Sequence, residues 1–297
     1  MPLTLRPISC FGVLGAGTLG WRVGLRAALS GYEVLIHDVS ERQIDDARRF
    51  SRELLAQLHR KGQVSESDAQ AATERIDYTL SPEAFARRVD FVNESITEDL
   101  GLKRRVWSSF AGRWQPDTVL TTNTSYLLPS RMAEHSGDPA RFCAFHFHDV
   151  FVARVVDVMP HPGTDPAVIP WLTALGRRLE QIPVHVERET SGYLFNFMLM
   201  ACLGAAGALA VEGKANHEDI DRSWMGNLQT RIGPFGMMDQ VGLDTVDKIL
   251  SARSDPRSAA FRRLIAPLIA RGHLGVKSGR GFYEYPRPAF RDPAFLT

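Results

Sequence analysis

The stretch CFGVLGAGTLG, residues 10–20, decides the fold. Cys10–Leu14 is a short apolar run that stops at glycines, which predicts a buried strand. Leu19–Ser30 then has a helical pattern closed by Gly31, and Glu33–Asp38 (EVLIHD) is a second strand-like run. A β-α-β unit within about thirty residues is the element from which parallel sheets are built. Gly15-Ala16-Gly17-Thr18-Leu19-Gly20 fits G-x-G-x-x-G at the turn between strand and helix. In that setting the first glycine allows a tight turn, the second a close approach to a pyrophosphate, and the third close helix–strand packing. The start of the helix adds free N–H groups and a positive dipole end. Gly15, Gly17, Thr18, Leu19 and Gly20 are therefore cofactor-binding candidates. Asp38 ends the second strand, 18 positions after Gly20. Its carboxylate can accept from both ribose hydroxyls and would repel a 2′-phosphate, so the expected cofactor is NAD and not NADP. Arg42 lies close enough in sequence to soften that repulsion.

Working outward, strand-like and helix-like segments keep alternating. A charged helix is expected over Glu41–Lys61, a strand at Asp90–Asn93 and a helix around Leu100–Phe110. Strands follow at Thr118–Thr122, Arg141–Phe147 and Val155–Met159, then a helix at Ala167–Leu179 and a last strand at Val184–Val186. Beyond Ser191 the pattern is helical: Tyr193–Val211, His217–Leu228, Gly236–Ser251 and Ala259–Arg271. The expectation is an α/β fold, a doubly wound Rossmann-type domain at 1–189 followed by a smaller all-helical substrate and dimerisation domain at 190–297.

Composition narrows the function. With 35 Lys+Arg against 34 Asp+Glu, the chain lacks the basic bias of a nucleic-acid binder. Cys10, Cys143 and Cys202 are scattered and odd in number, which suits a reduced cytoplasmic protein. No signal peptide is expected from the short mixed stretch after Met1. Leu194–Val211 is almost entirely apolar, but Asn196 and small residues at Gly204, Gly207 and Ala208 favour a buried helix or a dimer interface over a membrane span. Met198, Met200, Met237 and Met238 fit the same packing role.

Alcohol oxidation by hydride transfer needs a base that titrates near working pH, which points to histidine. Of nine histidines, His146 ends the apolar strand RFCAFHF, where strand ends line the ligand crevice. The turn Asn123-Thr124-Ser125 follows the preceding strand and is expected at the same edge. Asp157 on the next strand can supply a carboxylate to the imidazole. His148 shares the face of His146, whereas Cys143 points away and no further donor is in view, so no metal is expected. His148 reads equally well as a pocket residue or a structural histidine.

These motifs together resemble the NAD-dependent 3-hydroxyacyl-CoA dehydrogenases. The likeness runs from GAGTLG (15–20) and Asp38 through NESITEDLGLK (93–103) and NTS (123–125) to His146, 21 residues after Ser125. It continues with SGYLFN (191–196), GPF (233–235), Asp239, GLD (242–244) and GRGFY (279–283). The resemblance implies oxidation of a 3-hydroxyacyl thioester such as 3-hydroxybutyryl-CoA, or the reverse reduction. It makes His146 the general base, Asp157 its partner where the family has Glu, and Ser125 and Asn196 the donors to the reacting oxygen. Glu98, Lys103 and Asn123 fall beside the nicotinamide half of the cofactor, and the site is expected to close between domains. The family's HFFNP is here His146-Phe147-His148-Asp149-Val150, and Phe197 replaces an Arg, changes expected around the acyl pocket. The basic residues Arg48, Arg49, Arg52, Arg60 and Lys61 read either as coenzyme A contacts or as a solvated helix face. Two other functions remain open: the same chemistry on an acyl-carrier-bound or free polar 3-hydroxy acid of the L-gulonate or carnitine type, and a non-catalytic NAD-binding structural protein. A homodimer through the helical domain is expected, with no nucleic-acid or membrane partner.

Overall fold

The computed structural model describes residues 5–251 and 255–297. The first residues after Met1, read above for leader character, lie outside it. The chain forms two compact units, Met1–Leu194 and Phe195–Thr297.

The first unit is built on one eight-stranded sheet. Its strands are β1 (Cys10–Leu14), β2 (Glu33–His37), β3 (Ile76–Thr79), β4 (Phe91–Glu94), β5 (Val119–Thr122), β6 (Phe142–Phe147), β7 (Val155–Pro160) and β8 (Ile182–His185). Their order is β3-β2-β1-β4-β5-β6-β7-β8. The order reverses at β1, which pairs in parallel with both β2 and β4. Such a switch point opens a crevice beyond the carboxyl ends of the strands. Alternation along β1 sends Phe11 and Val13 into one core and Cys10 and Leu14 into the other, so helices cover both faces. The helices are α1 (Gly20–Leu29), α2 (Glu41–Arg60), α3 (Glu66–Glu74), α4 (Pro82–Arg88), α5 (Leu100–Phe110) and α6 (Val168–Arg178). Ser40 and Asp99 cap α2 and α5 by accepting from Gln43 N–H and Leu102 N–H.

In this unit two features depart from the sequence reading. The segment α3-β3-α4 was not anticipated: α3 buries only Ala72 and β3 is a four-residue edge strand, so neither carries a strong apolar period. The pairing of β6 with β7 is antiparallel, which a βαβ pattern does not foretell.

The second unit holds α7 (Phe195–Val211), α8 (His217–Leu228), α9 (Pro234–Val241), α10 (Leu243–Ser251) and α11 (Pro256–Ala270). The single helix expected over Gly236–Ser251 is two helices, because Gly242 takes φ +94° between them. Met238 is buried and Met200 and Met237 pack against the helical core, whereas Met198 is 62 % exposed. Two buried aspartates tie this unit together. Asp221 accepts from Phe235 N–H (2.8 Å), Gly236 N–H (3.0 Å) and the Tyr283 hydroxyl (2.9 Å). Asp239 accepts from Phe282 N–H, Tyr283 N–H and the Tyr285 hydroxyl. The GPF and GRGFY motifs are thus the donors of two carboxylate clasps. A Cβ on Gly233 would lie 2.4 Å from the Asp221 carboxyl carbon, which explains the glycine.

Asp221→Ala would leave three buried donors without an acceptor, each costing about 1–3 kcal/mol. Urea unfolding is expected to show a loss of about 3 kcal/mol or more. A loss below about 1 kcal/mol would contradict the clasp.

Candidate active site

The dinucleotide loop is shaped by its backbone. Gly15 sits at φ +106° and its N–H donates to the His37 carbonyl at 2.8 Å. A Cβ on Gly20 would fall 1.9 Å from the Gly15 carbonyl oxygen, whereas one on Gly17 would meet nothing within 4 Å. The outer glycines are therefore imposed by the fold, and the middle one leaves room for a ligand to approach the chain. Thr18 is exposed, and Leu19 caps α1 with no side-chain hydrogen bond, so its first-turn N–H groups meet no capping side chain. Asp38 accepts from Ala16 N–H (2.8 Å) and Ser40 N–H (2.9 Å), which ties the acid to the loop. Arg42 is exposed and loosely paired with Asp46 at 3.9 Å. Beside the loop lies a cleft of about 430 Å³ whose lining includes Gly15, Gly17, Asp38, Leu80, Val106 and Phe110. Glycine backbone, an acid and an apolar slot are the surfaces that a pyrophosphate, a ribose and an adenine require. The residues present fit NAD.

The next layer is a buried polar network. Glu94 ends β4 and is fully buried with Lys103 of α5. Lys103 Nζ donates to Glu94 at 2.5 Å and to the Ile96 carbonyl at 3.3 Å. Thr122 Oγ1 and Ile96 N–H also donate to Glu94. Lys103 is thus enclosed, with Glu98 3.8 Å from its ammonium. Glu98 accepts from Thr124 Oγ1, Ser125 N–H and Tyr126 N–H, and so fixes the turn after β5. Asn123 accepts from Phe147 N–H at 2.9 Å and donates to Ser95 Oγ at 3.0 Å, linking that turn to β6 and to the end of β4.

His146 and Asp157 are direct partners in the antiparallel β6–β7 ladder, so both side chains project from one face. His146 Nδ1 lies 3.1 Å from Asp157 Oδ2, and His146 Nε2 lies 3.2 Å from Ser125 Oγ. The imidazole is 3 % exposed and stacks on Tyr193, with ring centroids 4.6 Å apart. The Tyr193 hydroxyl is buried without a hydrogen-bond partner. Burial lowers the His146 pKa, which the bond to Asp157 only partly offsets, and nearby His148 lowers it further. Asp157 is pushed up by burial, but the hydrogen bonds from His146 and His148 outweigh this and hold it below its ordinary value. A neutral imidazole thus faces a carboxylate anion. Because the anion only accepts, the imidazole proton sits on Nδ1 and the lone pair of Nε2 is directed toward Ser125.

His146, Asp157, Ser125, Glu98 and Asn123 are therefore brought together. Asn196 lies on the first turn of α7 in the second unit. The expectation that no third donor stands near His146 and His148 is corrected: Asp157, from the neighbouring strand, lies with them within 4.8 Å. Both histidines hydrogen-bond that carboxylate. Asp149, the Asn-to-Asp change in the loop after β6, is tied to the first helix. It pairs with Arg22 of α1 through both oxygens at 3.0 Å and accepts from Phe151 and Val152 N–H. Sequence reasoning assigned no role to Glu94 or Tyr193, although both stand inside the motifs NESITE and SGYLFN. A charged residue within an apolar strand, as in FVNE, was the available signal for Glu94.

Asp38→Asn keeps an acceptor for Ala16 N–H and removes the charge. The ratio of kcat/KM for NAD over NADP is expected to fall roughly ten-fold or more, equivalent to about 1.4 kcal/mol. An unchanged ratio would show that Asp38 does not select the cofactor.

Comparison with known proteins agrees with this geometry. Residues 11–190 match the 3-hydroxyacyl-CoA dehydrogenase, NAD binding domain, and residues 192–285 match the 3-hydroxyacyl-CoA dehydrogenase, C-terminal domain. A probable 3-hydroxybutyryl-CoA dehydrogenase of Deinococcus radiodurans is 30% identical over 279 residues, covering 93% of this chain and 99% of the relative. Among solved structures, a diketoreductase described for dual catalysis of dicarbonyl compounds superposes with TM-score 0.89 at 31% identity, covering 95% of this chain and 100% of its own. The (S)-3-hydroxybutyryl-CoA dehydrogenase of Ralstonia eutropha does so with TM-score 0.85 at 27% identity, with 95% and 100% covered. The loop, the acid, the buried histidine and these matches lead to one conclusion: the chain belongs to the NAD-dependent 3-hydroxyacyl-CoA dehydrogenase family of oxidoreductases.

Proposed function

We propose that this protein oxidises short 3-hydroxyacyl-CoA thioesters such as 3-hydroxybutyryl-CoA, or reduces the matching 3-oxo forms, with His146 as the general base. The observation that carries the assignment is a buried, neutral imidazole with Nδ1 on Asp157 and Nε2 beside Ser125. NAD, when bound, supplies the hydride acceptor for C3 of the substrate. The chain's own residues manage the proton. Ser125 orients the hydroxyl, His146 Nε2 takes its proton, and Asp157 stabilises the imidazolium that forms. In the reductive direction the imidazolium returns that proton to the carbonyl oxygen. The second-donor role falls to Asn196 on the family resemblance alone. The Gly15–Gly20 loop and Asp38 hold the dinucleotide, Glu98 and Asn123 stand beside its nicotinamide, and Lys103, enclosed behind them, supports Glu94 and Glu98. The intact His146–Asp157–Ser125 geometry speaks against a non-catalytic NAD-binding protein. For the thioester handle, Arg48 and Arg52 border a second cleft of about 340 Å³, a size and charge that suit part of a coenzyme A. The relatives' names favour that handle over a carrier protein or a free polar acid.

The reading extends to assembly and location. Phe195, Phe197 and Met198 on α7 are 52%, 63% and 62% exposed, an apolar surface that a second copy of the chain would cover. No helix among the described residues is long and apolar enough to cross a membrane. The three cysteines are free thiols, in keeping with a cytoplasmic location.

His146→Gln is expected to lower kcat by roughly 10²–10⁴-fold on 3-hydroxybutyryl-CoA with little change in NAD affinity. An NADH-absorbance assay across acyl-CoA, acyl-carrier, L-gulonate and carnitine substrates checks the substrate class; a better rate on any non-CoA substrate would overturn it. For oxidation, kcat/KM is expected to fall on the acid side as His146 takes a proton, with the midpoint below the ordinary histidine value because burial lowers its pKa. Sedimentation at micromolar concentration is expected to give a dimer; a monomer would refute the proposed interface.

A further inference from the structure

We propose that His148 is a positioning residue for this reaction: by donating its Nε2–H to the same Asp157 oxygen that His146 uses, it anchors the carboxylate and sets the acidity of the catalytic imidazole. The inference rests on the reading of His146 as the base. Its ground is the geometry of one acceptor with two donors. His148 Nε2 lies 2.8 Å from Asp157 Oδ2, closer than His146 Nδ1 at 3.1 Å. The two residues stand two apart at the end of β6, so both imidazoles leave the same face. Their rings meet edge to face, with centroids 4.6 Å apart. All three groups are largely withdrawn from water, with side-chain exposures of 3%, 11% and 2% for His146, His148 and Asp157.

The chemistry follows from the donor count. An ionised carboxylate only accepts, so both imidazoles present N–H to it. A single oxygen that already takes one charge-assisted bond offers less to a second donor. With His148 in place, Asp157 therefore stabilises a proton on His146 less than an undivided carboxylate would. The aspartate is also one methylene shorter than the glutamate that the resemblance leads one to expect, and the second donor holds the shorter side chain in place. The other groups that face His146 are Glu98, Ser125 and the stacked Tyr193 ring. Glu98 favours the imidazolium, whereas His148 and burial oppose it. The outcome is an imidazole that stays neutral, and so ready to accept a proton, to lower pH.

The test compares His148→Phe and His148→Leu, which remove the donor, with His148→Gln, which restores a neutral N–H. For oxidation, the acid limb of kcat/KM is expected to move up by about half to one pH unit in the Phe and Leu variants. In the reductive direction the alkaline limb moves up with it, because the same proton is read from the other side. The Gln variant is expected to return both limbs close to those of the unaltered protein. An NMR titration of the His146 imidazole reads the same shift without turnover. Unmoved limbs or an unmoved titration in His148→Phe and His148→Leu would overturn the proposal, as would a Gln variant that behaves like Phe. His146→Gln separates the two levels of argument. Loss of turnover there with no shift in the His148 variants sinks this inference alone. Full turnover in His146→Gln, with none in the His148 variants, would sink the assignment of the base itself.

Discussion

A histidine and an aspartate held opposite each other on two antiparallel strands are the constraint on which this site depends. An imidazole taken almost wholly out of water is neutral unless something nearby stabilises its charge. Asp157 supplies part of that stabilisation while it is engaged by two N–H donors. Only a reversal of strand direction between β6 and β7 puts residues 146 and 157 in cross-strand register. Once the pair is fixed, Ser125 need only arrive from the neighbouring parallel strand to complete a proton path.

The approach of Ser125 depends on a second buried charge system. Glu94 and Lys103 are both fully buried, a costly arrangement unless every hydrogen-bonding position is used. Here Thr122 and Ile96 N–H donate to Glu94, and the Ile96 carbonyl accepts from Lys103 beside their mutual bond. Lys103 sits near Glu98, and Glu98 in turn gathers three donors from the turn at Thr124–Tyr126. Asn123 carries the same tie across to β6. Ser95 N–H donates to the Leu14 carbonyl at the end of β1, so the start of the glycine loop and the turn at Thr124–Tyr126 are joined through one polar layer at the carboxyl edge of the sheet.

How much of this was legible in the sequence follows from the range of the signals. Strand, glycine loop, helix and Asp38 form a local unit, so β1-α1-β2 and its cofactor were readable directly. His146 and Asp157 were found by strand position, and Ser125 took its role from the family resemblance; the structure places the three in hydrogen-bond reach. What stayed hidden was non-local or weakly patterned. The α3-β3-α4 segment is polar and sits at the sheet edge, where little apolar period is required. The antiparallel pairing has no periodic signature, so the bond from His148 to Asp157 could not be foreseen. Gly242 divides α9 from α10 by its positive φ, a backbone property that a helical pattern passes over. The pairing of Asp149 with Arg22, 127 residues away in sequence, has no local signal either. The GRGFY and GPF stretches serve two carboxylate clasps of the helical unit, a structural use that motif likeness does not reveal.

The central claim is that His146 waits as a neutral imidazole, protonated on Nδ1, with its Nε2 lone pair free to take a proton. The most direct measurement is ¹⁵N NMR of the histidine side chains in the unaltered protein, with His146 assigned by its absence in His146→Gln. The account predicts, at neutral pH, a protonated Nδ1 and an unprotonated Nε2 for this residue, with protonation only below the ordinary histidine range. An imidazolium at neutral pH, or a proton resident on Nε2, would contradict it.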